Sequence, residues 1–391
     1  MFNVLLCIDI GTTSLKAGLI TARGEVVSFC SVPFEDSKNE FAACTWLGAF
    51  VKAVCELETQ CEKNGKVVTV STISISGNGP TVVADCGYTV FWNEDFSDIK
   101  TPDSPEAKKS LFMPKLLALK KRVPKIYKKS RFIFSGPEYL IYILTGEAVT
   151  ILPEERFRAA YWNDEVCKVC GIDSEKLPPF IGIGDCCGLV NKEVLAELRA
   201  GAAGNLTISQ NCSVFAGGPD FVAALIGTGT LISGRLCDRC GSSEGLNFCT
   251  DKILQGEGLR ILPSVIPGLW NASYLIPNSG ELSEAERLIE IERGINCLKR
   301  AAGEAGIPFP NEMAVTGGQT NDELLLREKA EKLKMKILRP AGENAAAGAG
   351  RHFVHSELLG DACAAWFGLG EYDSLQSAAE NIVRLEPYEN L

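Results

Sequence analysis

The chain has 391 residues, 46% of them hydrophobic and 23% charged, with a formal charge of −10 from 39 basic and 49 acidic side chains. That length exceeds one ordinary core and suits two domains of roughly 150–200 residues each. The acidic balance argues against nucleic acid as a partner, because phosphate contacts need clustered Lys and Arg, and no apolar run approaches the roughly 18–20 residues of a membrane span.

The apolar runs Val4–Ile10, Leu15–Thr21 and Glu25–Phe34 are separated by Gly11-Thr12-Thr13-Ser14 and Ala22-Arg23-Gly24. This pattern predicts a three-stranded antiparallel meander with tight turns. Residues 1–8 lack a basic leader and run straight into Asp9, so they read as a strand rather than a signal peptide, and a cytoplasmic location is expected. Trp46, Phe50, Val54 and Leu57 share one face of a predicted helix. Val67–Ser76, rich in β-branched residues, predicts the next strand, ending at Gly77-Asn78-Gly79-Pro80. Strand, strand, strand, helix, strand is the opening of a ribonuclease-H-like α/β domain.

A basic stretch from Lys108 to Arg131 carries Phe112, Leu116 and Leu119 at helical spacing and reads as a solvated helix face. From Ser110 to Gly201 the pattern is mostly helical, broken by prolines. Phe221–Ile226, Gly227-Thr228-Gly229-Thr230 and Leu231–Arg235 then repeat the strand-turn-strand theme, which predicts a second copy of the same fold. Leu288, Ile291, Ile295, Leu298 and Ala302 mark an amphipathic helix, Met313–Thr316 a strand, and Asp361–Gly368 a helix of small residues suited to close packing.

Of the sixteen cysteines, Cys167/Cys170 and Cys237/Cys240 form CxxC pairs, too far apart in sequence for a usual zinc ribbon. Most of the others lie in apolar runs and read as structural thiols in a reducing compartment. The two histidines, His352 and His355, follow an Ala/Gly-rich segment read as a loop. A Ser-His-Asp or Cys-His mechanism therefore has little material.

Four constellations carry usable chemistry. In Asp9-Ile10-Gly11-Thr12-Thr13-Ser14 the glycine permits a tight turn, the hydroxyls and backbone N–H groups can meet a phosphate, and Asp9 can hold Mg²⁺ directly or through water. Gly227-Thr228-Gly229-Thr230 offers the same device. Asp220, after Gly217-Gly218-Pro219, can accept a proton from a hydroxyl attacking a γ-phosphate. Gly317-Gly318-Gln319 after a strand lets a flat base approach the backbone. Each also has a plain structural reading as a turn or loop. Neither a P-loop nor a Rossmann fingerprint is present in the sequence.

These four pieces, in this order, resemble the FGGY carbohydrate kinases of the actin/hexokinase-like superfamily, with a xylulokinase-like cast. Ser76–Pro80, Ser110–Leu116, Glu138–Leu140 through Leu144–Glu147, and Leu358–Ala362 to Gly370–Tyr372 are similar to further family segments. The resemblance implies two ribonuclease-H-like α/β domains, residues 1–226 and 227–391, with a nucleotide and sugar cleft between them. It implies ATP and Mg²⁺ as cofactors, Asp220 as catalytic base, and Asp9 and Asp220 near the metal. It places Thr12, Thr13, Ser14, Gly227, Thr228 and Gly229 at the ATP phosphates, and Gly317, Gly318 and Gln319 at the adenosine. Asn78, Trp92, Phe112 and Asp220 would line the pocket of a sugar or polyol, a pentulose-like one favoured.

Three departures stand out. The family's Trp-x-Asp-x-Arg pattern is replaced by Trp92-Asn93-Glu94-Asp95-Phe96-Ser97, without a nearby Arg in the sequence. A Gly-Glu-Arg-x-Pro segment is missing between Ser279 and Leu288, shortening the second domain. A Gly/Ala-rich stretch is inserted over 343–356. These departures leave two alternatives to a kinase: a sugar- or nucleotide-binding regulator with weakened catalysis, and an ATPase acting on a protein partner. The expected ligand is a small sugar or polyol, with no nucleic acid or membrane partner and a homodimer left open.

Overall fold

Leu5, Leu6, Ile8 and Ile10 are all buried, so the first strand is apolar on both faces, as expected of a strand covered from both sides. In the computed structural model, which describes residues 2–202, 204–240, 244–341 and 355–388, it is the third strand from one edge of a six-stranded sheet. The strands are β1 (Phe2–Ile10), β2 (Ser14–Ile20), β3 (Val26–Pro33), β4 (Val68–Gly77), β5 (Cys186–Leu189) and β6 (Leu206–Pro219). Their order is β5-β6-β4-β1-β2-β3. β1 runs antiparallel to β2 and parallel to β4, and β6 is parallel to β4. Helix α1 (Trp46–Lys63) buries Phe50, Ala53, Val54 and Leu57 and packs on β2 and β3. The meander, the helix and the strand after it are those expected from the sequence.

The chain divides into two compact units. The first comprises Met1–Ala22, Val26–Phe221 and Ala364–Glu371; the second comprises Arg23–Glu25, Val222–Cys363 and Tyr372–Leu391. Between β4 and β5 the first unit carries helices α2 (Met113–Arg122) and α3 (Glu138–Thr145) among shorter helical turns. This stretch is less helical than expected, because short strands at Ile133–Phe134, Thr150–Leu152 and Phe180–Gly182 interrupt it.

The second unit repeats the plan. Its seven strands are β7 (Leu236–Cys240), β8 (Glu244–Thr250), β9 (Leu259–Pro263), β10 (Trp270–Ile276), β11 (Glu312–Gly317), β12 (Lys336–Pro340) and β13 (Leu385–Pro387), in the order β9-β10-β8-β7-β11-β12-β13. β7 is antiparallel to β8 and parallel to β11, as β1 is to β2 and β4. The five-strand core β3-β2-β1-β4-β6 thus recurs as β10-β8-β7-β11-β12. Phe248, Ile291, Leu298, Val315, Leu326 and Ile337 form the centre of this unit's core.

Helix α4 (Asp220–Gly227) corrects one expectation: the apolar run Phe221–Ile226 is helical, not a strand. Gly227-Thr228-Gly229-Thr230 therefore ends a helix and is not a hairpin turn. The hairpin that mirrors β1–β2 is β7–β8, whose connecting residues 241–243 lie outside the described residues. Helix α5 (Glu284–Glu304), opened by a capping box of Ser283 and Glu286, crosses from β10 to β11, and α6 (Glu323–Leu333) from β11 to β12. Helix α7 (Ser356–Gly368) supplies the expected close packing of small residues. A Cβ on Gly360 would fall 2.0 Å from the Ala223 carbonyl oxygen, and one on Gly227 would fall 1.8 Å from that of Ser356.

The Gly/Ala-rich stretch lies almost wholly outside the described residues, as does His352. All sixteen cysteines are free and most are buried, consistent with structural thiols. Among the described residues no helix is long and apolar enough to cross a membrane.

Candidate active site

In the first unit, Gly11 makes the turn after β1: its N–H donates to Ser14 O at 2.9 Å, and a Cβ there would sit 2.9 Å from the same oxygen. Thr13 is exposed, and Thr12 and Ser14 are half-buried. Two predicted substrate residues reach this turn. The Asn78 amide donates to Gly11 O at 2.8 Å, and the Trp92 indole N–H donates to Thr12 Oγ1 at 3.4 Å. Asn78 is itself fixed, its Oδ1 accepting from Thr81 Oγ1 at 2.8 Å.

Asp9, near the end of β1, is 2% exposed and accepts from Lys16 Nζ at 3.0 Å. Asp9, Ser76 and Gly218 lie in register across β1, β4 and β6. Asp9 and Gly218 are thus two strand spacings apart, about 10 Å. Asp220 follows two residues after Gly218 and opens α4, half-buried, with its Oδ1 accepting from the Phe221 N–H at 2.6 Å. Both carboxylates therefore stand at the same end of the sheet.

A pocket opens beside them, lined by Gly77, Gly79 and Pro80 of the loop after β4, by Phe112, and by Pro219 and Phe221 on either side of Asp220. Of the four predicted sugar contacts, only Phe112 lines this pocket; Asn78 lies between two lining glycines, Asp220 lies between the lining residues Pro219 and Phe221, and Trp92 is drawn to the Thr12 turn instead. Glu138, at the start of α3, lines the same pocket. In the sequence it stands out only as part of a helical segment.

The loop after Trp92 lacks an Arg in sequence but gains one in space. Arg122, the last residue of α2, donates to Glu94 at 2.9 Å and to the Asp95 carbonyl and Asp98 at 2.6 Å each, and lies over the Phe96 ring.

In the second unit, Gly317 ends β11 at φ +97°, where a Cβ would meet Cys240 O at 2.0 Å, so only glycine fits. Gly318 and Gln319 begin the 3-10 turn that follows. The residues Gly227, Thr228 and Gly229 form no open phosphate cradle. Thr228 is buried, its hydroxyl bonded to Ala224 O at 2.9 Å and to Thr230 at 2.8 Å, and Gly229 O accepts from Arg235 at 3.0 Å.

A cluster that no sequence pattern announced lies beside Gly317. Lys329 on α6 is fully buried and donates to Asp238 at 2.6 Å and Glu244 at 2.7 Å, with Cys240 Sγ at 3.3 Å. Burial and the Asp238 charge push the Glu244 carboxyl up to about 7, against the pull of Lys329. Burial opposes the Lys329 ammonium, yet Asp238, Cys240 and Glu244 together hold its pKa above the ordinary range.

No protein-family model matches the chain. It is 23% identical over 266 residues to the xylulose kinase of Bacillus subtilis (strain 168), a match covering 60% of this chain and 51% of that protein. To the xylulose kinase of Lactococcus lactis it is 22% identical over 293 residues, covering 68% and 57%. The chain thus spans about half the length of the curated relatives it matches. Among solved structures it is similar to a ligand-bound xylulose kinase from Lactobacillus acidophilus (TM-score 0.72, 14% identity, covering 98% of this chain and 93% of that one). It is equally similar to Plasmodium falciparum glycerol kinase with ADP (TM-score 0.72, 15% identity, covering 98% and 93%). The gluconate kinase of L. acidophilus gives a TM-score of 0.73 at 15% identity, covering 99% and 93%. The repeated five-strand core and these likenesses agree: the chain has the fold of the FGGY carbohydrate kinases, and its relatives by sequence are sugar kinases.

Proposed function

We propose that the chain transfers the γ-phosphoryl group of ATP to a hydroxyl of a sugar or polyol, a pentulose-like one favoured, with Asp220 as general base. The observation that supports it most is the placement of Asp220. Its two chain neighbours line a pocket that also takes in the loop after β4, and the Gly11–Ser14 turn is hydrogen-bonded to that loop through Asn78. A carboxylate there can take the proton of an attacking hydroxyl, an effect of roughly 10²–10⁴-fold. Asp9 and Asp220 would hold Mg²⁺, which when bound neutralises charge on the transferred phosphoryl group. Thr12, Thr13 and Ser14 would meet the ATP phosphates, and Gly317, Gly318 and Gln319 the adenosine. Gly227, Thr228 and Gly229 are left out of the proposal, since the Thr228 hydroxyl and the Thr228 and Gly229 N–H groups bond to carbonyls of the preceding helix and Gly229 O accepts from Arg235.

The test is an ADP-release screen over pentuloses, hexuloses, polyols and sugar acids. Asp220→Ala should lose at least about a hundredfold in turnover while still binding ATP. Unchanged turnover would sink the base assignment. A second reading is favoured by the ion pair of Asp9 with Lys16, which competes with a metal for the carboxylate: a ligand-binding regulator of the same fold. It predicts sugar or ATP binding by calorimetry without ADP formation.

A further inference from the structure

The first unit's pocket has aromatic walls and few polar groups. Phe112, Phe157, Tyr161 and Phe221 supply its rings, with Phe112 and Tyr161 tilted against each other at a centroid distance of 4.7 Å and Phe157 and Phe221 at 6.3 Å. Besides the Tyr161 hydroxyl, two polar side chains lie among them, Ser135 and Glu138, and the first is committed to the second. Glu138 is 2% exposed, and its Oε1 accepts from Ser135 Oγ at 2.7 Å and from the Ile151 N–H at 2.9 Å. These two bonds fix the carboxyl group. Its Oε2 has no hydrogen-bond partner among the described residues. A buried polar oxygen without a partner is rare and calls for one.

We infer that this pocket takes a neutral acceptor that presents one hydroxyl to Glu138 Oε2 and carbon–hydrogen surface to the rings, a short polyol or deoxy-ketose rather than a sugar acid. The inference rests on the phosphoryl-transfer reading and narrows its substrate class. A hydroxyl can donate to a carboxylate or accept from a carboxylic acid, so it suits Glu138 in either state, whereas an ammonium suits only one. An acceptor carboxylate would set like charges together in an apolar enclosure. Burial raises the Glu138 pKa, against the two hydrogen bonds it accepts, and the Glu138 charge adds to burial in raising that of Tyr161. A fully hydroxylated chain would leave several of its own groups unpaired against the four rings, and unpaired groups decide selectivity.

The test uses the whole chain. Glycerol, erythritol, 1-deoxyxylulose, xylulose and gluconate are titrated calorimetrically into the wild type and Glu138→Gln, with ADP release followed in parallel. Glutamine keeps an oxygen for Ser135 and Ile151 and turns Oε2 into a neutral NH₂ group. The wild type should bind a short polyol or the deoxy-ketose at least about tenfold tighter than gluconate, and E138Q should narrow that ratio by about tenfold at an unchanged thermal midpoint. The inference is overturned by a wild type that binds gluconate best, by one that binds none of the five, or by a ratio unmoved in folded E138Q. If E138Q fails to fold, the wild-type ranking decides. The expected ranking without ADP formation removes the phosphoryl-transfer reading and leaves the pocket assignment standing.

Discussion

Lys16 faces Asp9 directly across the β1–β2 ladder, and its ammonium lies 3.0 Å from the buried Asp9 Oδ2. The two strands thus bring a lysine and a carboxylate together one turn away from Thr12 and Thr13. Lys16→Met leaves a buried carboxylate with less compensation and should cost about 1–3 kcal/mol of stability, measured by urea unfolding. If the proposed Mg²⁺ role of Asp9 is right, the same variant should also shift the Mg²⁺ concentration needed for half-maximal ADP release. An unmoved Mg²⁺ requirement would count against that role.

Gly227 is a packing residue. A Cβ at this position lies 1.8 Å from the Ser356 carbonyl oxygen and 2.8 Å from the Gly360 nitrogen, all backbone atoms that cannot swing aside. Gly227→Ala should therefore destabilise the second unit by about 1–3 kcal/mol or more, through overpacking. The readout is the thermal midpoint, compared with the KM for ATP. A raised KM at an unchanged midpoint would restore the phosphate role given to it from sequence.

Lys329 is the single cation among the buried groups of its cluster. Lys329→Met would strand the Asp238 and Glu244 carboxylates, each 0% exposed, in the core of the second unit. Breaking a buried pair in this way costs on the order of 3–5 kcal/mol. Denaturant unfolding should show that loss, and Lys329→Met combined with Asp238→Asn and Glu244→Gln should recover part of it. Equal stability of the single and triple variants would show that the carboxylates do not depend on Lys329.

The same cluster sets a pH dependence of definite sign. Glu244 has a folded pKa of about 7, above its ordinary value of 4.5. Between those values the folded state holds a proton that the unfolded state has released. This group's contribution therefore falls as pH rises from about 4.5 to 7. Glu244→Gln stays neutral throughout, so its stability relative to wild type should rise across that window. Urea unfolding of both proteins at pH 5, 6, 7 and 8 measures the difference; a flat difference contradicts the assignment.

The first hairpin, α1 and β4 were legible because period-two and period-3.6 patterns ran long enough to differ. The run Phe221–Ile226 was too short for that, since six apolar residues fit a buried strand or a buried helix equally well. The true mirror hairpin was hidden for a different reason. β7 carries Asp238 and Arg239 where a core strand is expected to be apolar, and the lysine that makes Asp238 tolerable lies 91 residues away. β6 was missed because Ser209, Gln210 and Asn211 interrupt its apolar residues and break its register with β4. Asp9, Asp220 and Phe112 stood out by residue type and position, but Glu138 did not. A glutamate opening a helix is ordinary, and only its burial in a pocket makes it otherwise. Arg122 likewise sits far along the chain from the loop it organises.

Asn78 joins the loop after β4 to the turn after β1 through one amide, which donates to Gly11 O and accepts from Thr81. Its backbone N–H adds a bond to Ile10 O at 2.8 Å. Two hydrogen bonds from Asn78 thus tie the two segments together. A ligand that repositions either segment must change the free energy of binding at the other, and by linkage the effect is the same in both directions. Under the proposed function, acceptor and nucleotide affinities would be thermodynamically coupled, with Asn78, through its side chain and its backbone N–H, as the joint that transmits the coupling.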